Sequence, residues 1–390
     1  MSEPIVRIAA RGDGATASGR HAALAAPGDL LHDDGTVEPG PMHQLPPCRH
    51  FPECGGCQLQ HVTDPAYRRY LVDRVTLALA QHQLETDLRE PHLSPPGSRR
   101  RATLRAQRAG GGVLLGFNEE RSHRIVDMRE CHIVRPELFA LVGPLRQLLT
   151  GMLGRKGAAE VRLTLCDQGV DIGLSGTNAE GLAAAEALTA FAERNRLARL
   201  SLDEGYGAEV RYEPVPATVT LSGVPVPLPV GAFLQATEDG EAALVAAVRE
   251  AVAGGRRTVD LFAGVGTFAL ALDGQVHAAE AGRDAILALK AARSGIGAEH
   301  RDLYRRPLTA DELGSFEAAV LDPPRAGAAE QVRELARSSL GKVAYVSCNP
   351  ATFARDARVL VDGGYRLSWV QPVGQFRWST HVELAAAFAR

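Results

Sequence analysis

The chain has 390 residues, of which 45% are hydrophobic and 23% charged, and its formal net charge is -3 at pH 7. This length and composition predict a soluble globular protein of two or three domains. The charge balance excludes an overall attraction to nucleic acid, so RNA contact would need a local basic patch, for which the sequence offers Arg99, Arg100, Arg101, Arg105 and Arg108.

Residues 1–45 predict a short, incomplete β-rich arm. β-like segments at residues 5–9 and 22–26 are separated by glycine and aspartate, and a proline-rich linker follows at residues 33–47. The first residues contain no basic region followed by an apolar run, and the chain has no stretch of about 18 apolar residues. We therefore expect a cytoplasmic protein without a membrane segment, and a monomer.

Three of the six cysteines lie close together, in the segment Cys48-Arg-His-Phe-Pro-Glu-Cys54-Gly-Gly-Cys57. In a cytoplasmic chain such crowding indicates metal binding, because neighbouring thiolates repel one another unless a cation lies between them. The Gly-Gly pair lets the backbone fold tightly around a metal centre. Cys131 lies in a polar turn and is the predicted fourth ligand. Spacing alone leaves zinc and an iron-sulfur cluster equally open.

Residues 46–229 predict an α+β central domain. An amphipathic helix at residues 65–84 is followed by a hairpin at residues 102–117, which turns at Gly110-Gly-Gly112. The segment 160–212 then predicts strand, strand, helix, strand and strand.

Strands and helices alternate from about residue 230, which predicts an α/β domain over residues 230–390. The strand 258–262 runs into a glycine turn, Ala263-Gly-Val-Gly266-Thr267, which is predicted to open a helix and to let a nucleotide-like ligand approach the backbone. The next strand ends in Glu280, about twenty residues after Asp260, a spacing that suits contact with a ribose hydroxyl. A third glycine for packing a pyrophosphate-binding helix is missing. Adenosine without pyrophosphate is therefore favoured, and S-adenosylmethionine fits.

Three more polar side chains lie near strand ends in this last domain. Asp322 follows an apolar strand and precedes two prolines that stiffen its loop, and Cys348 follows the strand at residues 343–347. Glu383 lies near the C terminus. Because open α/β sheets bind ligands at the carboxyl ends of their strands, Cys348 is a candidate nucleophile and a buried Glu383 a candidate base. Taken singly, each has an ordinary alternative: a buried small hydrophobe, a helix cap or a surface glutamate.

Together these segments resemble the RNA (uracil-5-)methyltransferase family, and within it the iron-sulfur branch that methylates 23S ribosomal RNA. The resemblance covers the chain from Cys48 to Arg390. Four signatures occur in the family's order: the Cys48, Cys54-Gly-Gly-Cys57 cluster, the Asp260-Leu-Phe-Ala-Gly-Val-Gly turn, Asp322-Pro-Pro-Arg, and Ser-Cys348-Asn-Pro with Thr-His381-Val-Glu383.

The resemblance implies a C-terminal Rossmann-like S-adenosylmethionine-dependent methyltransferase domain and a central domain that carries a 4Fe-4S cluster. It implies that the cluster is bound by Cys48, Cys54, Cys57 and Cys131. The implied cofactor contacts are Gln235, Phe262, Thr267, Glu280, Asp302 and Asp322. Cys348 would be the nucleophile and Glu383 the base, while Asp322 would contact the uracil edge or position the cysteine turn. The target uridine would be flipped out of an RNA loop, with its base stacked on an aromatic side chain such as Phe233.

The chain departs from the family's pattern at several positions. Thr267 and Asp302 stand where the family often has asparagine, and Phe376-Arg-Trp378 replaces a frequent Phe-Pro. Only about 45 residues precede Cys48, which we expect to be too few for all five strands of an oligonucleotide-binding barrel.

Three other functions remain open at this point. The substrate could be a transfer RNA uridine in the T loop, although enzymes of that type typically lack the cysteine cluster. The chain could be an adenine- or protein-amino-group methyltransferase that uses Asp322-Pro-Pro-Arg, but such an enzyme would have no use for Cys348 or Glu383. It could also be a noncatalytic iron-sulfur RNA-binding protein, against which the presence of both Cys348 and Glu383 counts.

Overall fold

The computed structural model describes residues 2–390, and the strands in this part of the chain form sheets of five, six, two and nine strands. Among these residues, no helix has both the length and the apolar character needed to cross a membrane.

The first sheet is antiparallel and has the order β3-β2-β1-β4-β5. Its strands are β1 (Glu3–Ile8), β2 (Gly14–Thr16), β3 (His21–Ala22), β4 (Leu30–Leu31) and β5 (Val37–Glu38). The expectation that 45 residues are too few for five strands is wrong, because four of these strands are only two or three residues long. The sheet stays open, with β3 and β5 as its edges.

The segment after the cysteine cluster packs against the C-terminal part of the chain. It contains helix α1 (Asp64–Gln81) and the short strands β6 (Asp87–Leu88) and β7 (His92–Leu93). Tyr67, Tyr70 and Leu71 of α1 are buried in a core that they share with C-terminal residues. The hydroxyl of Tyr67 donates to the carbonyl oxygens of Phe376 (3.0 Å) and Ser379 (2.9 Å).

The second sheet has six strands in the order β13-β12-β11-β10-β8-β9. In chain order its elements are β8 (Arg101–Ala109), β9 (Gly112–Gly116), α2 (Pro136–Phe139), α3 (Val142–Met152), β10 (Ala158–Cys166), β11 (Gly169–Ser175), α4 (Gly181–Arg194), β12 (Arg199–Asp203) and β13 (Ala208–Tyr212). Alternate residues such as Leu104, Leu163 and Ile172 form a core with the helices on one face. The opposite face is mostly polar, and it carries Arg101 and Arg162.

A hairpin of β14 (Thr218–Leu221) and β15 (Val224–Pro227) precedes the last sheet. The remaining elements are α5 (Glu238–Ala251), β16 (Arg257–Leu261), β17 (Gln275–Glu280), α6 (Arg283–Ala292), β18 (Gly297–His300), α7 (Ala310–Leu313), β19 (Ala318–Leu321), α8 (Ala329–Arg337), β20 (Lys342–Ser347), α9 (Pro350–Asp362), β21 (Arg366–Gly374) and β22 (Glu383–Ala389).

The last sheet has the order β18-β17-β16-β19-β20-β22-β21-β6, and β7 also pairs with β21. The five strands from β18 to β20 are parallel, whereas β22 runs antiparallel to both β20 and β21. The strand order reverses beside β16, and open α/β sheets bind ligands at such a switch point. The carboxyl ends of β16 and β19 therefore define where a ligand is expected.

One local prediction differs from the structure, and two short strands were not predicted. The glycine turn after β16 does not open an α-helix, and only a single 3-10 turn at Ala269–Ala271 follows it. Strands β6 and β7 were not predicted, because strands of two residues have no periodicity and form here by pairing with β21. The domain boundaries near residues 45 and 229 stay predictions. In space, α1, β6 and β7 lie against the last sheet.

Candidate active site

Cys348, Asp322 and Glu383 lie at one edge of the last sheet. Asp322 directly follows β19 and Cys348 directly follows β20, and these two strands are parallel neighbours. Glu383 begins the antiparallel strand β22, in which Leu384 lies opposite Ser347. The topology therefore brings together three side chains that lie up to about 60 residues apart in sequence.

The turn that carries Cys348 is held by local hydrogen bonds. The Asn349 side chain accepts from the backbone N–H of Ala351 (3.1 Å), which caps α9, and Pro350 fills the first position of that helix. Asn349 Nδ2 also donates to the carbonyl oxygen of Arg325 (3.1 Å). The loop that follows Asp322 is thereby fastened to the cysteine turn.

Cys348 and Glu383 line one cleft of about 720 Å³. The cleft lies between the C-terminal part of the chain and the central part, which contributes Arg99, Arg101 and the loop that carries Gly55 and Gly56. Other lining residues are Phe233, Arg325, Phe376 and His381. A cleft with basic and aromatic walls that also contains the Cys348 thiol suits an unstacked nucleobase and its phosphate backbone.

Burial controls the protonation of the three reactive side chains. Glu383 is only 4% exposed, and burial, with a smaller contribution from Asp322, raises the pKa of Glu383 to about 8. Burial also raises the pKa of Asp322 to about 7. For Cys348, burial and then the Glu383 carboxylate raise the pKa, while the Arg325 guanidinium opposes them. Without a cationic ligand, the thiol and the Glu383 carboxyl are therefore largely protonated at neutral pH.

Arg325 is held beside the cleft by His381. Their contact joins Arg325 Nη2 to His381 Nδ1 at 2.6 Å, and the guanidinium must be the donor. Burial lowers the pKa of His381, and Arg325 adds to this effect. A neutral His381 can accept the hydrogen bond, so the positive charge of Arg325 stays available to Cys348.

Two glutamines, Gln235 and Gln375, connect Asp322 to the rest of the fold. Gln375 Nε2 donates to Gln235 Oε1 (2.8 Å), and Gln235 Nε2 donates to Asp322 Oδ2 (3.2 Å). Gln375 Oε1 accepts from the backbone N–H of Ala236 (2.8 Å), which fixes the orientation of its amide. Sequence reasoning identified Gln235 and missed Gln375, although Gln375 directly precedes Phe376-Arg-Trp378.

The glycine turn after β16 lies beside this edge. Gly266 has φ +99°, and a Cβ there would lie 2.5 Å from Leu289 Cδ1, so that only glycine fits. Phe262 also has a positive φ, +65°. Asp260 is fully buried, and its Oδ2 accepts from the backbone N–H of Ala269 (2.8 Å), which closes the turn.

The other predicted cofactor contacts lie around the same turn. Glu280 accepts from the backbone N–H groups of Gly264 (2.9 Å) and Gly282 (2.6 Å). Asp302 accepts from the backbone N–H of Tyr304 (3.0 Å), whose ring centroid lies 5.5 Å from that of Phe262. Thr267 is half-buried in the turn itself. The structure thus places Phe262, Thr267, Glu280 and Asp302 around one turn at the switch point.

The four predicted metal-binding cysteines, Cys48, Cys54, Cys57 and Cys131, line one largely apolar cavity. Burial, with smaller contributions from the other three cysteines, raises the pKa of Cys57 to about 12. No group of three or more histidine, cysteine or acidic side chains within residues 2–390 could hold a metal ion. The role of these four cysteines as ligands of a metal centre therefore stays a prediction.

Comparison with known proteins gives consistent results. A family model described as tRNA (Uracil-5-)-methyltransferase matches residues 298–390. An uncharacterized RNA methyltransferase of Zymomonas mobilis is 50% identical, and the alignment covers 99% of each chain. The 23S rRNA (uracil(1939)-C(5))-methyltransferase RlmD of Burkholderia ambifaria is 32% identical over 91% of this chain and 82% of its own length.

Among solved structures, the fold is similar to that of the tRNA (uracil-54, C5)-methyltransferase of Pyrococcus abyssi, which was solved in complex with S-adenosyl-L-homocysteine. The TM-score is 0.77 at 22% identity, and the match covers 100% of this chain and 99% of the other.

Proposed function

Because this chain belongs to the RNA (uracil-5-)methyltransferase family and is an S-adenosylmethionine-dependent enzyme for carbon 5 of uracil, we propose that it methylates a specific uridine in 23S ribosomal RNA. We assign the chemistry to Cys348 and Glu383. The observation that carries this assignment is that both side chains line a single cleft at the carboxyl edge of the last sheet.

Carbon 5 of uracil is a poor nucleophile until a thiolate adds to carbon 6. We assign that addition to Cys348, whose Sγ forms the bond to carbon 6 and leaves electron density at carbon 5. Arg325 supports this step, because its charge lowers the pKa of the thiol. Bound S-adenosylmethionine supplies the methyl group. Glu383 then removes the proton from carbon 5, and the electron pair left behind expels the Cys348 thiolate.

The raised pKa of Glu383 affects its proposed role as the base. A carboxyl with a pKa of about 8 is a strong base once it is ionised, but it is mostly protonated at neutral pH. A cation bound near Asp322 would lower the pKa of both carboxyls. The sulfonium of the methyl donor is such a cation, so binding of the donor would ionise the base before methyl transfer.

We assign the cofactor contacts to Gln235, Phe262, Thr267, Glu280, Asp302 and Asp322. Their placement around the glycine turn and the adjacent strand end supports this assignment. Asp322 accepts from Gln235, so it lies where the cofactor site and the reactive edge meet. Its second role would be to contact the uracil edge.

We further propose that Cys48, Cys54, Cys57 and Cys131 bind a 4Fe-4S cluster. Their shared cavity supports this, and the cavity has the apolar lining that shields clusters from solvent. Gly56, Arg99 and Phe117 line both this cavity and the catalytic cleft. The cluster would therefore support the RNA-binding wall of the cleft, and no step of the reaction requires electron transfer.

Two observations favour ribosomal RNA over transfer RNA. The relative RlmD carries a 23S rRNA name. The segment from Cys48 to Cys57 resembles the cysteine cluster of that branch. The structural similarity to a tRNA methyltransferase keeps the T loop of transfer RNA as the alternative substrate.

The decisive experiment supplies labelled S-adenosylmethionine with transcripts of 23S, 16S or transfer RNA, followed by mapping of 5-methyluridine. We expect label in 23S RNA at a single uridine. Label only in transfer RNA would establish the alternative substrate. Methylation of none of these RNAs by protein with a reconstituted cluster would refute the proposal and favour a noncatalytic RNA-binding protein.

A further inference from the structure

A second cavity adjoins the catalytic cleft and has no role in the reaction described above. It has a volume of about 170 Å³ and lies between the polar face of the six-stranded sheet and the linker at residues 230–233. Arg99, Arg101, Thr103 and Phe233 line both spaces. The cavity is far larger than the ~15 Å³ that one water molecule needs, so a group of several heavy atoms fits.

Pairing across the sheet concentrates hydrogen-bond donors on this face. Arg162 on β10 lies opposite Thr103 on one side and Gly173 on the other, and Thr164 lies opposite Arg101. Ser201 lies opposite Gly173. The cavity is thus floored by two guanidinium groups and three hydroxyl groups.

The backbone provides space for the Arg162 side chain. A Cβ on Gly173 would lie 3.3 Å from Arg162 Nε, and a Cβ on Gly231 would lie 2.8 Å from its Nη1. Gly231 also has φ +73°, which favours glycine. Glycines above and beside the guanidinium therefore let it extend through the cavity between the sheet and the linker.

The positive charge in this cavity is not neutralised by the chain. Within residues 2–390, neither Arg101 nor Arg162 forms an ion pair with a carboxylate, and the buried Nε of Arg101 has no hydrogen-bond partner. The carboxylate in the cavity, Asp171, already accepts two hydrogen bonds from Arg199 (3.0 and 2.7 Å). Arg146, which is also half-buried, has Asp127 as its carboxylate partner. Buried positive charge without a partner is costly unless an anion binds there.

We propose that this cavity binds a phosphate group of the RNA strand beside the flipped uridine, with Arg101 and Arg162 as its ligands. The inference rests on the proposed function, since a flipped nucleotide in the cleft carries its phosphodiesters toward the shared wall at Phe233. The Arg101 guanidinium stacks on that ring, with Cζ 4.3 Å from the centroid, so it separates base from backbone. A phosphate suits this donor-rich site better than a base edge, which also needs acceptors.

The test measures binding of an RNA hairpin with a uridine loop, by fluorescence anisotropy over a series of salt concentrations. Arg162→Gln should weaken binding about five- to tenfold, and it should reduce the slope of log K against log salt by about 0.7, the value for one single-strand phosphate contact. Arg211→Gln is the matched control: Arg211 lies on β13 of the same sheet, is paired with Glu204, and lies outside this cavity. It should change neither quantity. Arg162→Lys keeps the positive charge at this position. Thermal melting of both Arg162 variants separates a folding defect from a loss of binding.

A second arm locates the contact. In a set of RNAs, each carries one neutral methylphosphonate, placed in turn at each linkage near the target uridine. For wild-type protein one linkage should weaken binding, and the same linkage should have no further effect on Arg162→Gln. The proposal would be overturned if the losses in binding from Arg162→Gln and from the methylphosphonate were additive at every linkage. It would also be overturned if the effect of Arg162→Gln were coupled to an abasic nucleotide instead of to a phosphate. The binding measurements need no turnover, so intact Arg162-dependent binding without methylation would contradict the proposed function and leave the phosphate site standing.

Discussion

Replacement of Glu383 by glutamine should stabilise the protein at alkaline pH while it abolishes turnover. The pKa of Glu383 is about 8 in the folded protein, against 4.5 for an ordinary glutamate. Between these values the folded state binds more protons than the unfolded state, so stability falls as pH rises through this window. A difference of about 3.5 pKa units corresponds to about 5 kcal/mol in the free energy of unfolding. Wild-type protein should lose this stability as Glu383 ionises fully, whereas Glu383→Gln should not.

The measurement is thermal unfolding of both proteins at pH 5 and pH 9. The variant should have a similar melting temperature at pH 5 and a higher one at pH 9, by on the order of 10 °C for a unit of 150–250 residues. Glu312→Gln is a control of opposite sign: hydrogen bonds from Arg301 lower the pKa of Glu312 to about 2, so this carboxylate contributes stability above pH 4.5 and its loss should lower the melting temperature. Parallel pH profiles for wild-type protein and Glu383→Gln would show that Glu383 is not a buried acid and would remove the basis for its role as the base.

Three further predictions concern the chemistry, the cluster and the cofactor turn. Glu383→Gln should accumulate a covalent RNA adduct that survives a denaturing gel, because methyl transfer precedes proton removal, and Cys348→Ala should form none; an adduct in the alanine variant would refute the assigned roles. Cys57→Ser, made and reconstituted without oxygen, should contain much less iron and sulfide than wild-type protein by chemical analysis, and Cys166→Ser should contain as much; equal contents in both variants would exclude Cys57 as a ligand. Gly266→Ala should weaken S-adenosylmethionine binding at least tenfold in calorimetry, because the new Cβ would lie 2.5 Å from Leu289 Cδ1 and φ is +99°; unchanged affinity would show that the turn does not bind the cofactor.

The reactive edge could be located from the sequence because a simple rule governs it. Asp322 and Cys348 each follow an apolar run, and parallel strands end at the same side of a sheet. The positions of these two residues therefore followed from local pattern, without knowledge of the strand order. Their assigned roles stay predictions.

Other parts of the site depend on contacts that leave no local trace. Arg162 has no motif around it, and Gln375 lies beside Phe376-Arg-Trp378 but has no predicted role of its own. Their contacts are visible only when the partner Gln235 or the opposing Gly173 is placed in space. The prediction of a helix after the glycine turn was wrong. The buried Asp260 carboxylate accepts a hydrogen bond from the backbone N–H of Ala269, and only one 3-10 turn follows. Tertiary contacts override local helix signals in such places.

The role of the central part of the chain follows from the position of Arg99. This residue lines the cysteine cavity, the catalytic cleft and the cavity of Arg162. Its backbone N–H donates to the carbonyl oxygen of Ile133 (3.0 Å), two residues after Cys131, and its Nε donates to the carbonyl oxygen of Arg101 (2.9 Å). A cluster bound at Cys131 would thus fix the segment that contains Arg99 and the start of β8 at Arg101, both of which line the catalytic cleft. Cys348 and Glu383, to which we assign the chemistry, lie at the last sheet. The choice of uridine would depend on the walls that the central part supplies, and the four cysteines would support those walls without taking part in the chemistry.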